Sequence, residues 1–428
     1  DRSAASPGSS YAICDHYNKA RYEKQSFCPL TSCRYEMIKY TSQKPYGKQK
    51  AVTIIERREF ILGAFAAAGL AAGGAGWFVH RPQFGRLPEG TRRARILASP
   101  NYYDGKFQCL DPLEDIMEES EDGESRLSAT WKFLFGDKKG LEPEQPMLSK
   151  KMDLKSLAAD EDAIVWLGHS TFFLRLAGKS ILIDPVLSDY ASPLFFINKA
   201  FRGSNIYTAE DFPAIDVLLL THDHWDHLDY PSVMALKEKI TDVVCPLGVG
   251  EYFEQWGFDL AHLHEEDWFT EVRLAADLSV HVLPSQHFSG RFLTRNNTEW
   301  CGFAIVTPHR RVYISGDGGY GKHFKDIGRR FDGFDLAMME NGQYNMQWHA
   351  IHMLPNETAQ AAEDVRTRLM LPAHGGKFAL ALHTWQEPYA ELLKESAGRP
   401  YRIVTPRIGE MVDMDSPADF PRWWEGMA

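Results

Sequence analysis

Ten short apolar runs between residues 163 and 371 set the strongest limit on the fold. They are Ala163–Leu167, Phe172–Leu176, Ser180–Ile183, Val217–Leu220, Asp242–Cys245, Leu278–Leu283, Phe303–Val306, Val312–Ile314, Leu336–Met339 and Leu369–Leu371. Runs of three to six residues that end in polar or His/Asp-bearing turns read as buried strands. Two sheets packed face to face with outer helices accommodate ten of them, so the expected class is α/β, a four-layer αββα sandwich. Residues 356–369 carry a helical pattern with Asn356 as N-cap. No internal repeat or low-complexity tract is visible past residue 80.

Composition narrows the class of partner. Of 428 residues, 44% are hydrophobic and 25% charged, which excludes a mostly disordered or collagenous chain. Residues 1–58 carry 11 Lys+Arg against 5 Asp+Glu, whereas residues 59–428 carry a net −17. A body this acidic repels a polyanion, so no nucleic-acid partner is expected. The six cysteines are scattered, half of them before residue 34, and supply no disulfide framework. Cys14, Cys28 and Cys33 with His16 match no standard zinc spacing.

Residues 1–56 read as a basic leader, disordered or non-native, with Met37 as a plausible start. Arg57-Arg58-Glu59-Phe60 then opens a run of 20 uncharged residues, 60–79. Paired arginines before a weakly hydrophobic stretch resemble a twin-arginine export signal. About 30 Å of helix also suffices for an uncleaved membrane anchor; a buried Ala/Gly helix is the alternative. The expectation for 57–80 is a signal or anchor that places a bacterial protein in the periplasm or on the exported face of a membrane. Polar residues 81–160 are expected to form an extension packing on the core, 161–410 the main domain, and 411–428 a C-terminal tail.

Val217–Leu220 runs directly into Thr221-His222-Asp223-His224-Trp225-Asp226-His227. His222 and His224 share a side while the chain is extended, and Asp226 and His227 come after it turns, where they can face a second metal ion. A solvated histidine-rich loop is the bland alternative. Three more metal-ligand types close strands beside glycine: His287 in Gln286-His287-Phe288-Ser289-Gly290, Asp317 in Ser315-Gly316-Asp317-Gly318-Gly319, and His374 in Pro372-Ala373-His374-Gly375-Gly376. Together these seven residues are what two zinc-like ions sharing a carboxylate require.

The order His222-x-His224-x-Asp226-His227, His287, Asp317, His374 resembles the metallo-β-lactamase fold hydrolases. Tyr103-Asp104-Gly105-Lys106-Phe107, Gly168-His169-Ser170, Asp184-Pro185, Glu266-Asp267-Trp268, Gly318-Gly319-Tyr320 and His352-Met353-Leu354-Pro355 narrow the resemblance to the N-acyl-phosphatidylethanolamine-hydrolysing phospholipase D branch, over residues 100–410. That resemblance implies two Zn2+ ions, one on His222, His224 and His287, the other on Asp226, His227 and His374, with Asp317 bridging. It implies release of N-acylethanolamine and phosphatidic acid, with Asp317 and Asp226 in the reaction centre. His352 would contact substrate or assist the leaving group; a structural histidine at a helix start is its alternative. His169 is expected to be structural. Where the branch has Trp after Gln-His, Asp-Thr-Gly-Tyr at the bridge and Trp-Gly-Thr after the last histidine, this chain has Phe288, Gly318 and Gly375-Gly376-Lys377. A lactonase or small-molecule phosphodiesterase on the same scaffold is the competing enzyme, and a metal-binding scaffold without turnover the competing class. The apolar loops 194–197, with Lys199 and Arg202, and 346–348 are expected either to seat acyl chains or a membrane surface, or to pack on the body.

Overall fold

The structure, a computed structural model, describes residues 76–112, 139–291, 295–346 and 348–427. The leader 1–56, the uncharged run up to residue 75 and the acidic residues 113–124 lie outside these bounds. Among the described residues no helix is long and apolar enough to cross a membrane.

All ten apolar runs form strands. Helix α1 (Gly90–Ala98) precedes a hairpin of β1 (Tyr102–Tyr103) and β2 (Lys106–Phe107). One seven-stranded sheet then takes β3 (Ala163–Trp166), β4 (Phe172–Leu176), β5 (Lys179–Ile183), β6 (Ile215–Leu219), β7 (Ile240–Pro246) and β8 (Leu263–Glu266) in chain order. The second seven-stranded sheet takes β9 (Glu271–Ala275), β10 (Leu278–Leu283), β11 (Gly302–Val306), β12 (Arg311–Ile314), β13 (Phe334–Glu340), β14 (Thr367–Ala373) and β15 (Arg402–Ile403). Strand β16 (Met411–Asp413) returns to pair with β3 and completes the first sheet. In each sheet three antiparallel pairings give way to three parallel ones. Parallel neighbours need crossovers. Helices α2 (Tyr230–Leu236) and α3 (Gly250–Gln255) serve the first sheet, and α4 (His323–Arg330), α5 (Pro355–Asp364) and α6 (Glu387–Glu395) the second.

Alternation along the strands shows the layering. Phe172, Leu174 and Leu176 of β4 join Val280, Phe303, Ile305, Leu369 and Leu371 of the second sheet in one core, while Phe173 between them packs with Val233, Leu236 and Phe253 under α2 and α3. On the other sheet Leu369 and Leu371 point inward, and Met370 meets Phe324, Ile327, Ala359 and Leu392 of α4, α5 and α6. Two sheets share a core and helices cover both outer faces: the αββα sandwich.

Three local expectations are corrected. The helix predicted over 356–369 runs from Pro355 to Asp364, with Pro at its first position and the Glu357 carboxylate accepting the Leu354 amide at 2.9 Å. It stops early because Arg366 turns to φ 57° and Thr367 enters β14, whose pairing with β13 wins over helical periodicity. The residues after 410 do not trail off as a tail, since β16 is a sheet strand and Trp423 and Trp424 are buried in the central core. Strands β1, β2, β8, β9, β15 and β16 lie outside the ten predicted runs.

Candidate metal centre

Each candidate ligand sits where a strand runs out. His222, His224, Asp226 and His227 follow β6, while His287, Asp317 and His374 follow β10, β12 and β14, so both sheets contribute. The turns that aim them are tight. Gly316 holds φ 61° against the Cys301 carbonyl, where a Cβ would collide, and so delivers Asp317 inward. His169, Asp184 and His374 themselves have positive φ, a backbone strain of about 1 kcal/mol or more each that surrounding contacts must hold.

The imidazoles and carboxylates converge as two groups around one shared acid. In the first, His222 Nε2 lies 2.9 Å from His224 Nδ1, and His287 Nε2 lies 3.3 Å from the same atom. In the second, Asp226 Oδ2 lies 3.6 Å from His227 Nε2 and 4.0 Å from His374 Nε2. Asp317 stands between them: Oδ2 is 3.0 Å from His227 Nε2, 3.8 Å from His222 Nε2 and 3.9 Å from His287 Nε2, and Oδ1 is 3.1 Å from His374 Nδ1. All seven residues named from sequence are brought together. His169 differs from expectation: its Nε2 meets Asp226 Oδ2 at 2.8 Å, which makes it a neighbour of the second group.

Partners behind the imidazoles fix which nitrogen faces inward. His287 Nδ1–H donates to the Ile351 carbonyl at 2.9 Å, and His227 Nδ1–H to Asp184 Oδ2 at 2.7 Å. The same Asp184 accepts the Thr221 hydroxyl at 2.6 Å, and Thr221 Oγ1 lies 3.0 Å from His222 Nδ1. One buried carboxylate thus orients a ligand of each group. Ser170 Oγ touches His374 Nδ1 at 3.1 Å. None of these partners was given a role from sequence; Asp184 was visible only as Asp-Pro after a strand, and its partners are 37 and 43 positions away.

Electrostatics test whether the set suits a cation. Burial, then the crowding of other imidazoles, pushes His222 well below the ordinary histidine range, and burial does the same to His287 and His374. These residues are therefore neutral, the form that ligates a metal. At His227 burial opposes charge, but Asp317, Asp226 and Asp184 outweigh it and push the group well upward. Its Nε2 is buried, makes no hydrogen bond and points at Asp317. A field that favours positive charge at a nitrogen of this kind also favours a bound cation, so the donor set fits divalent metal.

His352 lies against the cluster, its ring 5.2 Å from His374 and 5.0 Å from His287. Its Nδ1 is 3.3 Å from Oε1 of Glu340, the buried last residue of β13, whose other oxygen accepts the Met353 amide at 2.9 Å. Burial raises the Glu340 carboxyl, and Glu340 in turn raises His352 against its own burial. The Phe288 ring covers His224 at 4.5 Å, with the Arg295 guanidinium 4.0 Å above Phe288.

A Beta-lactamase superfamily domain matches residues 179–375. An uncharacterized protein of Mycobacterium tuberculosis is 36% identical over 367 residues, 84% of this chain and 97% of that protein. The N-acyl-phosphatidylethanolamine-hydrolyzing phospholipase D 1 of Caenorhabditis elegans is 30% identical over 243 residues, 54% of this chain and 68% of that protein. Among solved structures, a metallo hydrolase of Ignicoccus hospitalis aligns with a TM-score of 0.46 at 21% identity, covering 59% of this chain and 97% of that one. With this fold, this cluster and these relatives, the chain belongs to the metallo-β-lactamase superfamily of metal-dependent hydrolases and resembles its N-acyl-phosphatidylethanolamine-hydrolysing phospholipase D branch.

Proposed function

We propose that the chain is a dinuclear, zinc-dependent phosphodiester hydrolase that cleaves N-acyl-phosphatidylethanolamine into N-acylethanolamine and phosphatidic acid. The observation that carries the dinuclear reading is Asp317, placed 3.0 Å from His227 and 3.8 Å from His222 with a separate ligand group on each side. His222, His224 and His287 would hold one ion, Asp226, His227 and His374 the other, and Asp317 both. When bound, two such ions lower the pKa of water towards neutrality and offset charge growing on phosphoryl oxygens. They also give an acidic body a locally cationic site for an anionic diester.

The chain's own residues supply the rest. Asp184 and the Ile351 carbonyl hold His227 and His287 in the tautomers that present Nε2. Glu340 holds Nδ1–H of His352, which leaves Nε2 of His352 available to the substrate or its leaving alcohol. The lipid assignment draws on the name of the nematode relative and on the surface beside the cluster. Phe195, Phe196 and Met346 are 76%, 66% and 70% exposed. The loop bearing the two phenylalanines is flanked by Ala191 and Ala200, which pack on Phe378, and the Phe378 ring lies 5.2 Å from His169. Apolar side chains in that position suit acyl chains or a bilayer surface. Export through the Arg57-Arg58 segment completes the proposal.

Incubating the zinc-loaded chain with N-acyl-phosphatidylethanolamine and weighing the products tests this reading. Phosphatidic acid and N-acylethanolamine, both lost in Asp317→Asn, are the expected result. Hydrolysis of a small diester or a lactone without turnover of the lipid would keep the centre and overturn the substrate.

A further inference from the structure

The loop that carries four of the seven candidate ligands is held from outside the αββα core, by a segment far upstream in sequence. The turn Pro82–Phe84 and Gly85 lie directly behind it. The Phe84 ring meets Trp225, the residue between His224 and Asp226, edge to face at 5.1 Å. On the same Trp225 ring sits the guanidinium of buried Arg291, 4.1 Å from its centroid. Arg291 donates to three carbonyls: Asp223 at 2.6 Å and Leu228, at either end of the ligand loop, and Gln83 of the upstream turn at 2.6 Å, 208 positions away. Arg291 itself belongs to the loop after His287, and the Gly290 amide beside it donates to Asp223 Oδ1 at 2.7 Å.

Other contacts fix the turn in place. Trp256 Nε1 donates to the Pro82 carbonyl at 2.9 Å. Gly85 takes φ 71° flat against Tyr252, where a Cβ would run into the ring. Just beyond, Arg86 pairs with Glu251, and Arg92 pairs with Glu251, Glu254 and Glu265. Tyr252 closes the circuit by donating to Asp223 Oδ2 at 3.0 Å.

We infer that Pro82–Gly85 is a positioning strap for the metal centre, with Phe84 and the Gln83 carbonyl acting through Trp225 and Arg291 to hold the His222–His227 loop against the His287 loop. This rests on the metal-centre reading above. Outer partners that orient ligands set metal affinity by about 10- to 100-fold. A ligand loop with two positions for Trp225 would lose pre-organisation in the same way. The strap thereby makes an extension outside the sandwich part of the centre.

The test uses full-length chain with zinc as the probe, in competition with a chelating dye, and thermal unfolding in excess EDTA as the companion measurement. Phe84→Ala is expected to weaken zinc binding by about 10-fold. Leu87→Ala, on the same segment but 55% exposed, is expected to leave it unchanged. In a Trp225→Ala background the Phe84 change should cost nothing more, because its route is gone. A Phe84→Ala chain that unfolds at lower temperature in EDTA yet binds zinc as tightly as the parent overturns the strap, as do effects of the two substitutions that simply multiply. Should Phe84→Ala fail to fold, Phe84→Leu, which keeps apolar volume but not the aromatic edge, is judged by the same outcomes. A parent chain that takes up no zinc would overturn the metal centre and the strap with it, whereas equal binding by parent and variant overturns the strap alone.

Discussion

The two candidate ligand groups are built from different chemistry. His222, His224 and His287 form an all-nitrogen set whose members are held neutral by burial and by one another. The set around Asp226, His227 and His374 carries its own carboxylate and a buried Asp184 behind it, and there the same burial fails to keep a histidine low. Burial alone therefore does not decide the charge state; the sign of the nearest neighbours does. The nitrogen set would attract a cation by coordination, while the carboxylate set would add Coulombic attraction in a low-dielectric site. Asp317 joins the two and lends its charge to both.

Three substitutions sharpen or break that contrast. The largest effect is expected from Asp317→Asn, which removes charge from both groups at once: kcat/KM should fall by more than about 100-fold, with reduced zinc stoichiometry by elemental analysis. A fully active variant would end the shared-carboxylate model. Next comes Asp184→Asn, which replaces one of the two oxygens that accept from His227 Nδ1–H and Thr221 by an NH2 donor and removes a buried charge; zinc affinity should drop by about 10- to 100-fold. Thr221→Val, which removes the hydroxyl that links Asp184 to the Nδ1 side of His222 and lies 3.3 Å from His227 Nδ1, should cost a few-fold at most in the same titration. If Thr221→Val proves costlier than Asp184→Asn, the buried carboxylate is not the stronger orienting partner.

A last prediction, on stability and not on metal binding, concerns burial without carboxylate contact. Lys377 is buried, donates to the Val186 carbonyl at 2.6 Å, and is pushed down to about 8 by burial against only distant help from Asp229 and Asp189. Unfolded, it keeps its proton up to about 10.4. Between those pH values the unfolded state binds the extra proton, so stability should rise with pH from about 8, by up to about 3 kcal/mol. Chemical denaturation at pH 8 and pH 10 would show a rise that Lys377→Met flattens; an unchanged slope would mean another group sets it.

Parts of this were legible without coordinates because they depend on short stretches of chain. Each apolar run between 163 and 371 became a strand, since continuous Val, Ile, Leu and Phe over a few residues have no use except burial on both faces. The edge strands were missed for the converse reason. Leu263–Glu266 ends in His-Glu-Glu, Glu271–Ala275 alternates with Glu and Arg, and β15 is two residues long. At an edge, pairing on one side suffices and polar side chains are tolerated.

The chain by itself determined the identity of the candidate ligands, because histidine and aspartate clustered at strand ends are rare and chemically specific. It also determined the layering, because side-chain period and run length dictate which faces are buried. Tertiary structure alone decided the rest. Asp184 meets His227, Glu340 meets His352 and Gln83 meets Arg291 across 43, 12 and 208 positions. In sequence a lone Asp, Glu or Gln carries no sign of its partner. What turns such a residue into an orienting contact is the closure of two sheets over one core, which places strand ends distant in sequence within a few ångströms of one another.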